Sequence, residues 1–466
     1  MTLPGTPTTP AGTRTSRRDL RAFTALVAGY AVSTFGNFVN LVALNLYAYH
    51  LTGSALQTGV LMAVRLAAGF LAGPVAGRLV TRCDRRAVMV VTDLGQAASM
   101  IALLVTPSTM HSWVLYPVAA VLGAGNTVFT VALRTSVPEM VGAEDRVRGN
   151  GYLLTGKSVA MVLGFASAGP LVGGIGFPAA FAVNAASFLV SAAVLVRSPL
   201  SFRRSADVGH RPSGSVSSGS VSSGSVSSGS VSSGSGPAGP KPAAAGLRTV
   251  RVLLAGPPIV AAMVALRGVD AWGSASHNVA LPLLATDMDP GNPAAVLSQF
   301  WTAWAVGTLL IQAVALRSPR AGRSLDERAF AIAACVMSLA FVAAFTAPPA
   351  PLLVATALVA GMADGFTELA YSSRLQAAPD DVRGILFGAS ASVETLGFAA
   401  GMFASGVVLD HVAPLPVVAV GHGLVVAAAA AFLLLARTRW RAPDRAVAAP
   451  PDQPGRSGQP GRSGCA

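Results

Sequence analysis

The chain has 466 residues, 52% of them hydrophobic and only 11% charged, with 33 Lys and Arg against 20 Asp and Glu. So few charges cannot clothe a soluble surface of this size, which excludes a cytosolic enzyme and leaves a membrane protein. The net charge of +13 would point to nucleic acid on a soluble chain, but here its meaning depends on where the cations lie.

Residues 1–21 are polar, carry arginines and lead straight into an apolar run, so they read as a cytoplasmic tail without a cleavable signal. Apolar stretches of roughly 20 residues, the length that crosses a bilayer, then recur along the chain. They lie at 22–49, 55–79, 87–106, 112–133, 150–174 and 178–196, and again at 252–285, 295–316, 329–347, 351–371, 385–409 and 414–436. The expected fold class is an all-α membrane protein of twelve transmembrane helices in two six-helix bundles, 22–197 and 252–436. All but three of the 33 cations fall in the tails and in alternate connections. The six intervening loops, from HLTGS near residue 50 to DHVAP near residue 410, carry none. Because Lys and Arg gather on the cytoplasmic side, both termini are expected to be cytoplasmic and the protein to sit in the cell membrane. The net charge is then topology plus attraction to anionic lipid, with no nucleic acid implied.

Residues 198–251 join the halves and include four tandem SGSVS units; 437–466 repeat PGRSG. Ser and Gly bury too little surface to offset the entropy of ordering, so both segments read as disordered and cytoplasmic. Deleting residues 213–236 is expected to leave membrane level and transport near normal. Loss of transport at normal membrane level would show the repeat to be more than a spacer. Cys83, Cys335 and Cys465 fit no disulfide framework.

Residues 151–158, GYLLTGKS, match the phosphate-loop pattern Gly151-x4-Gly156-Lys157-Ser158. Such a loop needs a buried strand before it and a soluble helix after it. Here a charged segment, EMVGAEDRVRGN, precedes and a long apolar run follows, so the match is coincidental and no nucleotide or cofactor is expected. No metal spacing appears either, His277 and His422 included.

The halves repeat each other. Residues 132–149, ALRTSVPEMVGAEDRVRG, precede LGFA at 163–166, and 370–384, AYSSRLQAAPDDVRG, precede LGFA at 396–399. Duplicated six-helix units are typical of transporters that rock one repeat against the other.

From residue 22 to 436 the chain resembles the major facilitator superfamily, and within it the bacterial drug and siderophore exporters. Gly77-Arg78-Leu79-Val80-Thr81-Arg82-Cys83-Asp84-Arg85-Arg86 is similar to the family's signature loop between spans two and three. The family's Asp falls on Thr81. In the family that carboxylate helps to shut the inward face, so the resemblance implies a weaker lock or one that uses Asp84 or Asp93. Gly156, Gly169, Pro170, Gly173 and Gly174 follow the family's antiporter motif in span five, with Phe165 where a second glycine is expected and Gly164 displaced by one. Close helix packing through small residues would produce a similar run.

Charges inside spans are costly, ~3 kcal/mol each near the centre, and tend to face wet cavities or partners. The set is Arg65, Lys157 and Arg267 against Asp270, Asp364, Glu368 and Glu394. Arg267 and Asp270 share one helix face, and so do Asp364 and Glu368. The resemblance puts Asp270, Asp364 and Glu368 on cavity-lining spans; mutually neutralised structural ion pairs are the alternative. The mutual repulsion of Asp364 and Glu368 makes them the first choice for proton binding, with Asp270 and Glu394 next. The repeat offset places Glu394 opposite Met161, one turn beyond Lys157, and a gate between Glu394 and that lysine is expected. RGVDAWGSASHN (267–278), with Trp272, reads as a polar cavity wall, and Asn37, Asn40 and Tyr47 share a face of span one.

The expected function is proton-coupled export of a small amphiphile by alternating access, by a monomer whose partners are that substrate, protons and lipid. A proton-coupled importer and a non-transporting sensor or scaffold remain alternatives.

Overall fold

The structure is a computed structural model and describes residues 17–141, 146–197, 258–317, 326–378 and 380–440. Expectations about the N-terminal tail before residue 17, the SGSVS linker and the C-terminal tail fall outside these residues. The first half supplies α1 (Arg17–Thr52), α2 (Ala55–Arg82), α3 (Arg85–Val105), α4 (His111–Val141), α5 (Arg146–Gly174) and α6 (Phe177–Arg197). The second supplies α7 (Pro258–Met288), α8 (Pro293–Arg317), α9 (Glu327–Ala344), α10 (Ala350–Gln376), α11 (Asp380–Leu409) and α12 (Pro414–Trp440). A single 3-10 turn, Ser108–Met110, precedes α4.

Eleven of these helices are long and apolar enough to cross a membrane. The exception is α7, which carries RGVDAWGSASHN. Its polar stretch is enclosed by protein: Arg267, Asp270, Ser276 and His277 are all buried. Polar groups at membrane depth require such cover. Several helices outrun their apolar runs: α4 continues to Val141 instead of ending at 133, and α10 reaches Gln376. Hydropathy marks where lipid lies, whereas a helix satisfies its own backbone bonds and has no reason to stop at that boundary.

The repeat seen in the sequence is a repeat in space. Within the halves, α2 packs on α4 and α8 on α10; between them, α5 packs on α8 and α2 on α11. Exchanging the halves turns each contact of a pair into the other. Gly123 on α4 lies so close to α2 that a Cβ there would stand 1.9 Å from the Arg65 carbonyl oxygen. Gly361 on α10 meets the Trp304 carbonyl of α8 in the same way, at 2.0 Å. Only glycine permits such an approach. The Asn45 side chain of α1 donates to the Asn278 carbonyl of α7 at 3.3 Å, and these residues are 233 apart. That is also the offset between the two LGFA segments, so this bond joins equivalent positions on the pseudo-twofold.

Candidate functional site

The halves close on each other at the end that bears the cation-free loops. On one side of the axis α5 meets α8: a Cβ at Gly169 would stand 2.7 Å from the Ser298 side chain, and one at Gly173 2.4 Å from Asn292. Pro170 lies within α5 and has no N–H to give the carbonyl four residues back. That carbonyl, on Ala166, is met by the Ser298 hydroxyl at 3.3 Å, which also donates to the Phe165 carbonyl. Phe165 is fully buried and stacks on Trp301 at 5.8 Å between centroids. The antiporter-like residues thus divide by depth. Gly156 and Gly164 face α1, Gly169 and Gly173 face the other half, and Gly174 faces open space.

On the other side α2 meets α11. Asp410, one residue past α11, accepts from the Ser54 hydroxyl at 2.9 Å and from the backbone N–H groups of Ala55 at 2.7 Å and Leu56 at 3.3 Å. A carboxylate from one half therefore caps a helix of the other, where unpaired N–H groups and the helix dipole favour an anion. Asp410→Ala is expected to weaken closure at this end. In a background freed of other cysteines, thiol labelling of a cysteine introduced at Leu56 should quicken several-fold; unchanged labelling would deny Asp410 a gating role.

Between the halves lies a cavity of about 140 Å³, room for several waters. Most of its wall belongs to the first half, including Asn37, Arg65, Asn126 and Lys157; the second half adds Asn278, Trp301, Thr395, Phe398 and Met402. The cavity continues past Arg134, which is exposed on α4. Among the described residues its wall holds three cations and no carboxylate. Asn40, fully buried, and Tyr47 are not in the wall. Tyr47 bonds His111 at 2.5 Å and packs on Phe177 and Phe181. Trp272 gives its carbonyl to the close approach of Gly401 on α11.

The carboxylates gather beside that wall, inside the second half. The Arg267 guanidinium holds Asp270 at 3.1 Å, Glu368 at 2.6 Å and Glu394 at 3.7 Å. Asp364, buried one turn before Glu368, completes the group. Tyr371 stands 5.7 Å from the guanidinium and donates to Ser390, whose hydroxyl donates to Glu394. Glu394 is the accessible member, with 34% of its side chain exposed against 7% for Glu368. Sequence spacing reveals Arg267–Asp270 as a pair; the arrangement in space makes Arg267 a hub for three helices. In this closed-end-sealed arrangement Glu394 bonds Arg267, and Lys157 has no ion pair within 4 Å among the described residues. Met161 is buried.

The signature-loop residues stay within the first half. Helix α2 runs through Gly77 to Arg82, and the Thr81 hydroxyl bonds back to Arg78 of its own helix at 2.9 Å. Asp84 caps α3 by accepting from the Arg86 N–H. Arg85 donates to the Thr135 carbonyl within α4 at 3.0 Å, and Arg86 to the Val196 carbonyl at the C-terminal end of α6, where a cation is favoured. Asp93 is fully buried on α3, its carboxylate oxygens without a hydrogen-bond partner and Ser191 nearby. Elsewhere the fold joins two residues that the sequence leaves 145 apart: buried His277 and His422 bond at 3.0 Å, and both stack on Phe341. Among the described residues no cluster suits a metal ion.

Gly156, Lys157 and Ser158 lie within α5, and among the described residues α4 is the element before it, not a strand. Purified protein is expected to show no saturable ATP binding, and Lys157→Met to impair gradient-driven transport instead. ATP binding abolished by that substitution would overturn this.

A bacterial relative described as an uncharacterised MFS-type transporter, YfiS of Bacillus subtilis, is 25% identical over 179 residues, 38% of this chain and 42% of its own. Macrolide efflux protein A of Streptococcus pyogenes is 26% identical over 143 residues, 30% of this chain and 35% of its own. The matched stretch thus spans less than half of either relative. Among solved structures, the nucleoside transporter NupG superposes with a TM-score of 0.62 at 13% identity, over 91% of this chain and 100% of its own. A bacterial homologue of the human lysosomal transporter Spinster, inward-facing and occupied, gives 0.63 at 12% identity, over 91% of this chain and 98% of its own. At such identities these two speak for the fold alone. The Major Facilitator Superfamily model matches residues 26–402: the chain belongs to that superfamily, with the fold of a secondary transporter that moves small molecules by alternating access.

Proposed function

We propose that the protein exports a small amphiphilic molecule from the cell in exchange for protons, as in the drug and siderophore exporters. The observation that carries this reading is the buried cluster in which one guanidinium serves three carboxylates within 4 Å. A single positive charge cannot neutralise three negative ones in a low-dielectric interior, so the cluster as built calls for bound protons. Glu394, partly exposed and next to the cavity-lining Thr395, is the entry point, and Ser390 and Tyr371 orient its carboxyl.

The cycle follows from which arrangement each protonation state prefers. With the cation-rich connections on the cytoplasmic side, as the distribution of Lys and Arg supports, and the opposite end closed, the present arrangement is read as inward-facing. Protonated carboxylates can crowd around Arg267 in this arrangement. When they lose protons to the cytoplasm their mutual repulsion raises its energy, and the outward-facing form is favoured. Substrate that enters from the cytoplasm is carried across with that change. Protonation from outside then restores the inward form. The partial match to a macrolide efflux protein supports the export direction, and a monomer suffices for the cycle.

Everted membrane vesicles from cells with and without the protein, energised by respiration and offered a panel of fluorescent amphiphiles and antibiotics, test this. Protein-dependent uptake that a protonophore abolishes is the expected result. Uptake confined to right-side-out vesicles would make the protein an importer. Activity that survives neutralisation of the whole carboxylate cluster would remove the proton from the mechanism.

A further inference from the structure

The two chemistries of the site are segregated by half. Every carboxylate of the buried group lies on α7, α10 or α11, whereas the cations of the cavity wall, Arg65, Arg134 and Lys157, lie on α2, α4 and α5. Arg267 occupies Asp270, Glu368 and Glu394. None of the three wall cations has an ion pair within 4 Å among the described residues. One is unpartnered in a stricter sense: Nη1 of Arg65 is shut off from solvent and has no hydrogen-bond acceptor. Its helix is held there by the approach of Gly123 to the Arg65 carbonyl, so the backbone that carries the guanidinium cannot shift without moving α2 against α4.

A guanidinium nitrogen shut off from water without an acceptor is a site waiting for one, because an unpaired polar group away from water is costly and charged residues inside spans mark substrate pathways. Guanidinium is matched by a planar or tetrahedral oxyanion, carboxylate or phosphate, through paired N–H donors. The rest of the wall mixes aromatic rings, Phe38, Phe70, Trp301 and Phe398 among them, with amides and hydroxyls such as Asn37, Asn126 and Thr130. We infer that the transported molecule is an organic anion: a ring-bearing body, stacked on the aromatic wall and met by its amides and hydroxyls, whose acidic group is held by Arg65 and Lys157, with Arg134 at the mouth to draw it in. The assignment rests on the cavity being the transport site. It also gives the two halves separate tasks, anion binding in the first and proton binding in the second. A cationic amphiphile would meet three like charges on entry and is rejected.

The test uses three matched series of ligands on the purified full chain in nanodiscs of zwitterionic lipid: aryl carboxylates, the corresponding primary amides and the corresponding amines. Binding is read as thermal stabilisation and as quenching of tryptophan fluorescence. Carboxylates should bind at least tenfold more tightly than their amides, and amines should not bind. That preference should shrink at least tenfold in Lys157→Gln and in Arg65→Gln, survive in Arg65→Lys with reduced affinity, and remain in Glu368→Gln. Amines binding better than acids, in a manner abolished by Trp301→Ala, would overturn the charge assignment and leave the cavity as the site. Binding indifferent to Trp301→Ala, Phe398→Ala and Lys157→Gln alike, or no binding in any series, would overturn the cavity itself.

Discussion

Membranes that carry the Asp364→Asn, Glu368→Gln double variant are expected to hold normal amounts of protein, to bind substrate like the parent, and to lose proton-driven export. Both changes preserve shape and remove negative charge. Arg267 keeps Asp270 and Glu394 as partners, so no buried cation is stranded and the fold has no reason to fail. What disappears is the difference between the protonated and deprotonated forms at two of the four carboxylates, and with it the coupling. Substrate binding is spared because neither residue lines the cavity wall. Vesicle uptake, with equilibrium binding measured alongside, separates the two effects. Undiminished proton coupling in the double variant would exclude this pair and move attention to Asp270 and Glu394.

Arg267→Met should act on the fold. The guanidinium is 5% exposed and is the only cation within 4 Å of Asp270, Glu368 and Glu394 among the described residues. Removing one partner of a buried pair typically costs ~3–5 kcal/mol, because the charge left behind has neither water nor counter-ion. We expect a drop in thermal stability in detergent of that order, with sharply reduced yield. Combining it with Glu368→Gln should recover part of the loss, since the two residues are in direct contact and their effects are not additive. A cost below ~1 kcal/mol would mean that the carboxylates are already neutral in the resting protein and need no counter-charge.

Much of this architecture is legible in the sequence because the bilayer imposes a length and a polarity that few other environments do. Residues 22–49 and 178–196 announce themselves, and the repeat of LGFA gives the 233-residue offset that the Asn45–Asn278 bond later obeys. The charged set, too, is read by counting. Its pairing is not: Glu368 and Glu394 reach Arg267 from positions 101 and 127 residues away, and no local pattern encodes a contact between α7, α10 and α11. Arg134 is missed for a different reason. It follows the apolar run at 112–133 and looks like a loop residue, but α4 stays helical to Val141 and turns it towards the cavity mouth. Asp410 sits in the short loop between α11 and α12, where no sequence pattern gives it a partner; only the fold sets it on the first N–H groups of α2. The span-one face splits for a similar cause, since Tyr47 finds aromatic neighbours on α6 and leaves Asn37 to the cavity.

The claim that protonation of the Arg267 cluster selects which end is open is tested most directly by a distance across the closed end. Met110 and Val412, exposed on opposite halves there, accept spin labels through cysteine in a background with Cys83, Cys335 and Cys465 changed to serine. In nanodiscs, pulsed electron paramagnetic resonance should show a short separation that dominates at acid pH and a longer one that grows as pH rises. The Asp364→Asn, Glu368→Gln variant should hold the short separation throughout. A parent distribution that ignores pH, or a double variant that still follows it as the parent does, would contradict the proposed coupling.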